Sequence, residues 1–139
     1  MSVEINWLAV LLAVVAAMVI GTIWYSKNVF GAIWMKLAGL DDTKMRKGMI
    51  GPMLIAIFGS LLTAYILAHM AFIAHSFFKN SWFMDSVQTA FWLWLGLSAT
   101  SLAIHNSFER KPSRLTWLAV GNRFATYIAM GMVIGLLKP

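Results

Sequence analysis

Four runs of roughly 20 residues with almost no charge divide this chain, and they constrain its fold more than anything else in it. They fall near residues 5–26, 49–73, 86–106 and 115–137. At about 1.5 Å per residue, each is long enough as a helix to cross a hydrocarbon core about 30 Å thick. The runs are continuous rather than alternating, which excludes the strands of a closed barrel. Only 12% of the 139 residues are charged while 60% are hydrophobic, against about 25% charged in a soluble domain. With a mean hydropathy of +0.76, so much apolar surface cannot be hidden in one small core. The expected fold is an all-α integral membrane protein with four transmembrane helices, built as a single domain over residues 1–139.

The first run is expected to remain as a membrane helix. The residues before it, MSVEIN, carry an acid and no Lys or Arg, and no A-x-A-like cleavage site comes after it. The chain has no cysteine, so disulfides, thiolate catalysis and thiol-ligated metals are excluded.

Its cations are unevenly placed. Lys27, Lys36, Lys44, Arg46 and Lys47 lie between the first two runs, and Arg110, Lys111 and Arg114 lie between the last two. The opposite side has only Lys79 and Lys138. Short-loop cations mark the cytoplasmic side, so both termini are expected outside a cell inner membrane. The net charge of +6 then serves orientation and anionic headgroups; no soluble basic domain exists to bind nucleic acid.

Residues 24–39, WYSKNVFGAIWMKLAG, come directly after the first run. Trp24, Tyr25 and Trp34 suit the aromatic belt of an interface. Phe30, Ile33, Trp34, Leu37 and Leu40 recur at helical spacing, with Asn28, Ala32 and Lys36 opposite. That pattern predicts a short amphipathic helix over about 28–39 lying in the interface, an irregular loop being the alternative. Gly39 is placed to end it with a left-handed cap, and Asp41 or Asp42 to cap the next segment.

The pattern W-Y-S-x-x-x-F-G-x-x-W-M-x-L-x-G of Trp24 to Gly39 resembles the signature of a bacterial membrane family catalogued as domain of unknown function 1761. A second matching block is S-L-A-I-H-N-S-F-E-R-K from Ser101 to Lys111, and after it a last run ending in G-x-x-x-G. The resemblance covers nearly the whole chain. It implies a four-span inner-membrane protein and brings neither an activity nor functional residues.

Between helices in lipid, association relies on small residues and hydrogen bonds. Ala13, Ala17 and Gly21 form one such stripe; Ala56, Ser60, Ala64 and Ala68 form a second. Gly121, Ala125 and Ala129, with Gly131 and Gly135 on another face, supply the last run. This surplus favours a homo-oligomer, though small stripes inside one bundle look the same. Pro52 marks either a kink or an ordinary helix start.

Ionisable residues inside a span are candidates for function. Arg123 lies roughly 12 Å into the last run, where it either snorkels to the interface or finds a partner, for which the sequence offers Glu109. Ser98, Ser101, His105 and Glu109 share one helical face of the third run. Thr116, Arg123, Thr126 and Tyr127 share one of the fourth, with Asn122 beside it. A short loop makes these two runs antiparallel neighbours. His105, Glu109, Asn122 and Arg123 are therefore expected to form one polar cluster, either as packing glue or as a substrate, ion or proton site.

His69 and His105 are expected at opposite ends of the bilayer, too far apart to share a haem or metal. His69, His75 and Asp85 lack metal-site spacing, so no metal or cofactor is expected. Asp85-Ser-Val-Gln88 reads as a capping box, with Trp82 and Phe83 as interface anchors. Ser101 and His105 stand at i, i+4 without an oxyanion feature, and no catalytic residue is assigned. The leading reading is an oligomeric transporter or channel-like protein for a small solute or ion. The alternatives are a non-catalytic accessory subunit of a larger membrane complex and an enzyme acting on a lipid-linked substrate through His105 and Glu109.

Overall fold

The computed structural model describes residues 3–139, and among them the only regular secondary structure is helical. The order is α1 (Trp7–Trp24), α2 (Gly31–Ala38), α3 (Asp42–Arg46), α4 (Ile50–Phe78), α5 (Trp82–Leu93), a π-helical turn (Trp94–Ala99), α6 (Thr100–Phe108) and α7 (Ser113–Leu136). The α5, π and α6 segments run on as one span, so four helices are long and apolar enough to cross a membrane. The chain is thus a multi-pass helical membrane protein.

The spans form a four-membered ring. α7 packs against α1 and α5, and α4 closes the ring against the same two helices. Asn6 caps α1 by accepting from the Ala9 amide at 3.1 Å, and its own amide donates to the Lys138 carbonyl at 2.9 Å. Both chain ends are tied together at one end of the bundle.

The closest packing lies in the half of the bundle nearest those ends, although Asn106, Val120 and Asn122 are also buried toward the basic loops. The buried residues of α1 are Ala9, Val10, Ala13 and Ala17; those of α4 are Ala64, Leu67, Ala68 and Ala71; those of α5 are Trp82, Asp85, Ser86 and Ala90. Close approach depends on missing side chains. A methyl at Gly131 would sit 2.6 Å from Ala90 Cβ, and one at Gly135 would sit 2.9 Å from Phe83 Cα. The small-residue stripes are used here; toward the basic loops Gly121 still packs on Trp24, whereas Gly21, Gly51 and Gly59 meet nothing within 4 Å. Residues 50–59 of α4 are all exposed. Pro52 lies in the first turn of α4 and is an ordinary helix start, where a missing N–H costs nothing.

Between α1 and α4 the chain makes an elbow. The Phe30 amide bonds to the Trp24 carbonyl at 3.1 Å and the Gly31 amide to the Ser26 carbonyl at 2.8 Å. A Cβ at Gly31 would collide with the carbonyl oxygens of Tyr25 and Ser26. The short helix therefore starts at Gly31 rather than 28, because the residues before it form this turn. Gly39 ends it in the left-handed region at φ 67°, and Asp41 caps α3 by accepting from the Lys44 amide at 2.7 Å.

Trp82 and Asp85 differ from expectation. Ser81, not Asp85, caps α5, its hydroxyl accepting from the Met84 amide at 3.2 Å. Trp82 is buried, donating its Nε1 proton to the Ile134 carbonyl at 2.7 Å, so it is a cross-helix tie instead of an interface anchor. A buried indole N–H needs an acceptor, and the opposing backbone of α7 supplies one.

Candidate functional site

Cross-helix bonds set the levels at which the last two spans meet. Asn106 donates to Thr116 Oγ1 at 3.1 Å near their loop, and Trp94 Nε1 donates to the Val120 carbonyl at 3.2 Å deeper in. Arg123, a turn beyond Val120, therefore lies beside the π turn, whereas Glu109 stays at the loop. The expected four-residue cluster does not form. Glu109 instead pairs with His105 Nε2 at 3.1 Å and with Lys111. Through its hydrogen bond, Lys111 holds the Glu109 carboxyl below the ordinary range, and the neighbouring His105 acts in the same direction. Of the third-span face, Ser98 and Ser101 meet Arg123, while His105 and Glu109 lie apart from it.

Arg123 instead lines an open cleft of about 310 Å³ with Gly59 and Thr63 of α4, Leu97, Ser98, Ser101 and Leu102 of the third span, and Tyr127. The cleft lies where α4 runs up from its exposed residues 50–59 and the third span passes through its π turn. A π turn inserts a residue into the helical repeat and often marks a functional site. Ser98 lies inside it, and Ser101 lies just past it.

Ser101 also borders a second hollow, of about 490 Å³, with Gly96, Leu97, Thr100, Ile104, His105 and Phe108. His105 belongs to that hollow and engages Glu109, so the Ser101–His105 pairing that an enzyme would need is not made. Asn122 and Thr126 are buried. The Thr126 hydroxyl donates to the Asn122 carbonyl at 2.9 Å, while the Asn122 side-chain amide nitrogen has no partner among the described residues. Of the eight candidate polar residues, four share the cleft: Ser98, Ser101, Arg123 and Tyr127. Thr63 and Gly59 were not anticipated, although a threonine one turn from a glycine within a span was a readable signal.

The aromatic candidates pack into the elbow. Trp24 packs against Phe30 at a tilt, with ring centroids 4.7 Å apart, and lies 3.1 Å from where a Gly121 Cβ would be; Tyr25 meets Trp34 at 5.0 Å. At the opposite end, Asp85 is 2% exposed and accepts from Asn80 Nδ2 at 3.0 Å and from His75 Nδ1 at 2.8 Å. No group of three His, Asp or Glu side chains is placed to hold a metal among the described residues.

Residues 8–135 match the family described as "Protein of unknown function (DUF1761)". The chain belongs to this family. The match takes in the elbow, the π turn and Arg123, so the cleft of this DUF1761 protein lies wholly within the family's extent. No curated protein and no solved structure matches the chain.

Proposed function

We propose that this DUF1761 protein is a small carrier-type transporter that admits a solute or ion to the Arg123 cleft from the side of the basic loops. The observation that carries this reading is the asymmetry of the bundle. A polar cleft lies in one half, while the other half is closed by Ala64, Leu67, Ala68, Ala90 and Trp82. Carriers bind near the bilayer midplane and open to one side at a time. Positive-inside reasoning supports basic loops in the cytoplasm of the inner membrane with both termini outside.

The test is charge movement in proteoliposomes on a supported membrane, challenged in turn with chloride, acetate, succinate and phosphate. At least one should give a current that Arg123→Ala abolishes while the protein stays folded. Silence with all four, from folded wild-type protein, contradicts this reading.

A second reading, an accessory subunit or self-assembled protomer, is favoured by the uncovered half of α4. Gly51 and Gly59 leave room there for another helix. Native mass spectrometry of membrane extracts separates the cases: a constant heterologous partner supports the subunit, multiples of 15.5 kDa support the oligomer, and a bare monomer contradicts both.

A further inference from the structure

We infer that the Arg123 cleft is a binding site for a phosphate group, carried either on a lipid head or on a small soluble molecule. The first argument is charge balance. Arg123 makes no ion pair among the described residues, although it lies within a membrane span, where an uncompensated charge is costly.

No acid of the chain is available to balance it. Asp42 pairs with Lys27 at 3.0 Å, Asp41 caps α3, Asp85 is buried with His75 and Asn80, and Glu109 is held by His105 and Lys111. Glu4 precedes α1 at the far end of the bundle. With the near acids committed and Glu4 at the far end, the chain leaves the counter-charge of Arg123 to a ligand.

The second argument concerns the hydroxyls. Helical Ser and Thr ordinarily give their proton to the carbonyl four residues back. Thr22, Thr63, Ser76, Ser86, Thr89, Thr100 and Thr126 all do so here. Ser98 and Ser101, like Ser60 and Ser107, do not bond to any described residue, and of these four only Ser98 and Ser101 line the cleft with Arg123. A guanidinium fork beside uncommitted hydroxyl donors matches an anion with several acceptor oxygens. The Leu97 and Leu102 walls leave space for an alkyl chain but provide no cation for a second charge.

This inference names the ligand of the site on which the carrier reading rests, and its test reads binding rather than movement. The full chain, purified in uncharged maltoside detergent and freed of lipid, is titrated in one arm with sodium phosphate against sodium chloride at equal ionic strength. In the other arm it is titrated with phosphatidylglycerol against phosphatidylcholine. Thermal unfolding and ligand-bound mass peaks are both read.

Phosphate or phosphatidylglycerol should stabilise the protein in preference to its control, and the responding arm names the source. Arg123→Gln should weaken that binding roughly 10- to 100-fold, and Lys111→Gln and Lys138→Gln should leave it unchanged. Should Arg123→Gln fail to fold, Ser98→Ala/Ser101→Ala provides the test through weakened binding in a folded protein. No preference in either arm overturns the inference, as does wild-type affinity in folded Arg123→Gln or, where that variant does not fold, in the double serine variant. Binding that depends on Arg123 without any current would leave the site standing and remove the carrier reading.

Discussion

At the scale of single residues, the polar groups are sorted by whether the chain itself satisfies them. Asp85 has two donors in a buried setting, so Asp85→Ala should strand His75 and Asn80 and cost about 1–3 kcal/mol, read as a lowered unfolding midpoint in detergent. Trp82→Phe removes the bond to Ile134 and should cost about 0.5–1.5 kcal/mol. Glu109 is depressed by Lys111, so Lys111→Ala should move its carboxyl titration upward, seen in a carbon-detected NMR titration. A depressed carboxyl contributes its stabilisation above the ordinary carboxylate value, and loses it as pH falls through the depressed one. Because Glu109 is exposed at the loop, that contribution is screened. Helical spacing put Ser98 and Ser101 on the face that Arg123 meets, but it does not report depth along a hairpin. The Asn106–Thr116 and Trp94–Val120 bonds decide that depth, and they set the two charges on different levels.

At the scale of elements, the spans were legible because each must satisfy its backbone internally while facing lipid. The elbow was legible because aromatic residues and Gly39 mark where a helix leaves and ends. The π turn was not, since one extra residue in the repeat leaves no mark on an apolar run such as WLGLSA. Nor do small-residue stripes say which half of a helix is used. The glycines make that distinction testable. Gly131→Leu should drive α5 from α7 and lower thermal stability sharply, because even a methyl there meets Ala90 at 2.6 Å. Gly51→Ala has open space and should be neutral within about 0.5 kcal/mol. Equal stability of the two variants, read by the same unfolding assay, would contradict the one-sided packing.

At the scale of the whole molecule, the bundle is closed where its termini meet and split along α4 where its basic loops lie. The distribution of cations predicts that the termini are outside. A C-terminal phosphatase fusion expressed in a bacterial host should therefore be active, and a C-terminal fluorescent fusion that matures only in the cytoplasm should be dark. The central claim is that the split half holds a water-reachable, positively charged cleft at Ser98 and Arg123. The absence of cysteine from the chain allows a direct measurement: the labelling rates of Ser98→Cys with anionic and cationic methanethiosulfonates, in the presence of Arg123 and with Arg123→Gln. Labelling is expected from the side of the basic loops, faster with the anionic reagent, with loss of that preference in Arg123→Gln. A cysteine at 98 that reacts with neither reagent, or equally with both whatever stands at 123, would contradict it.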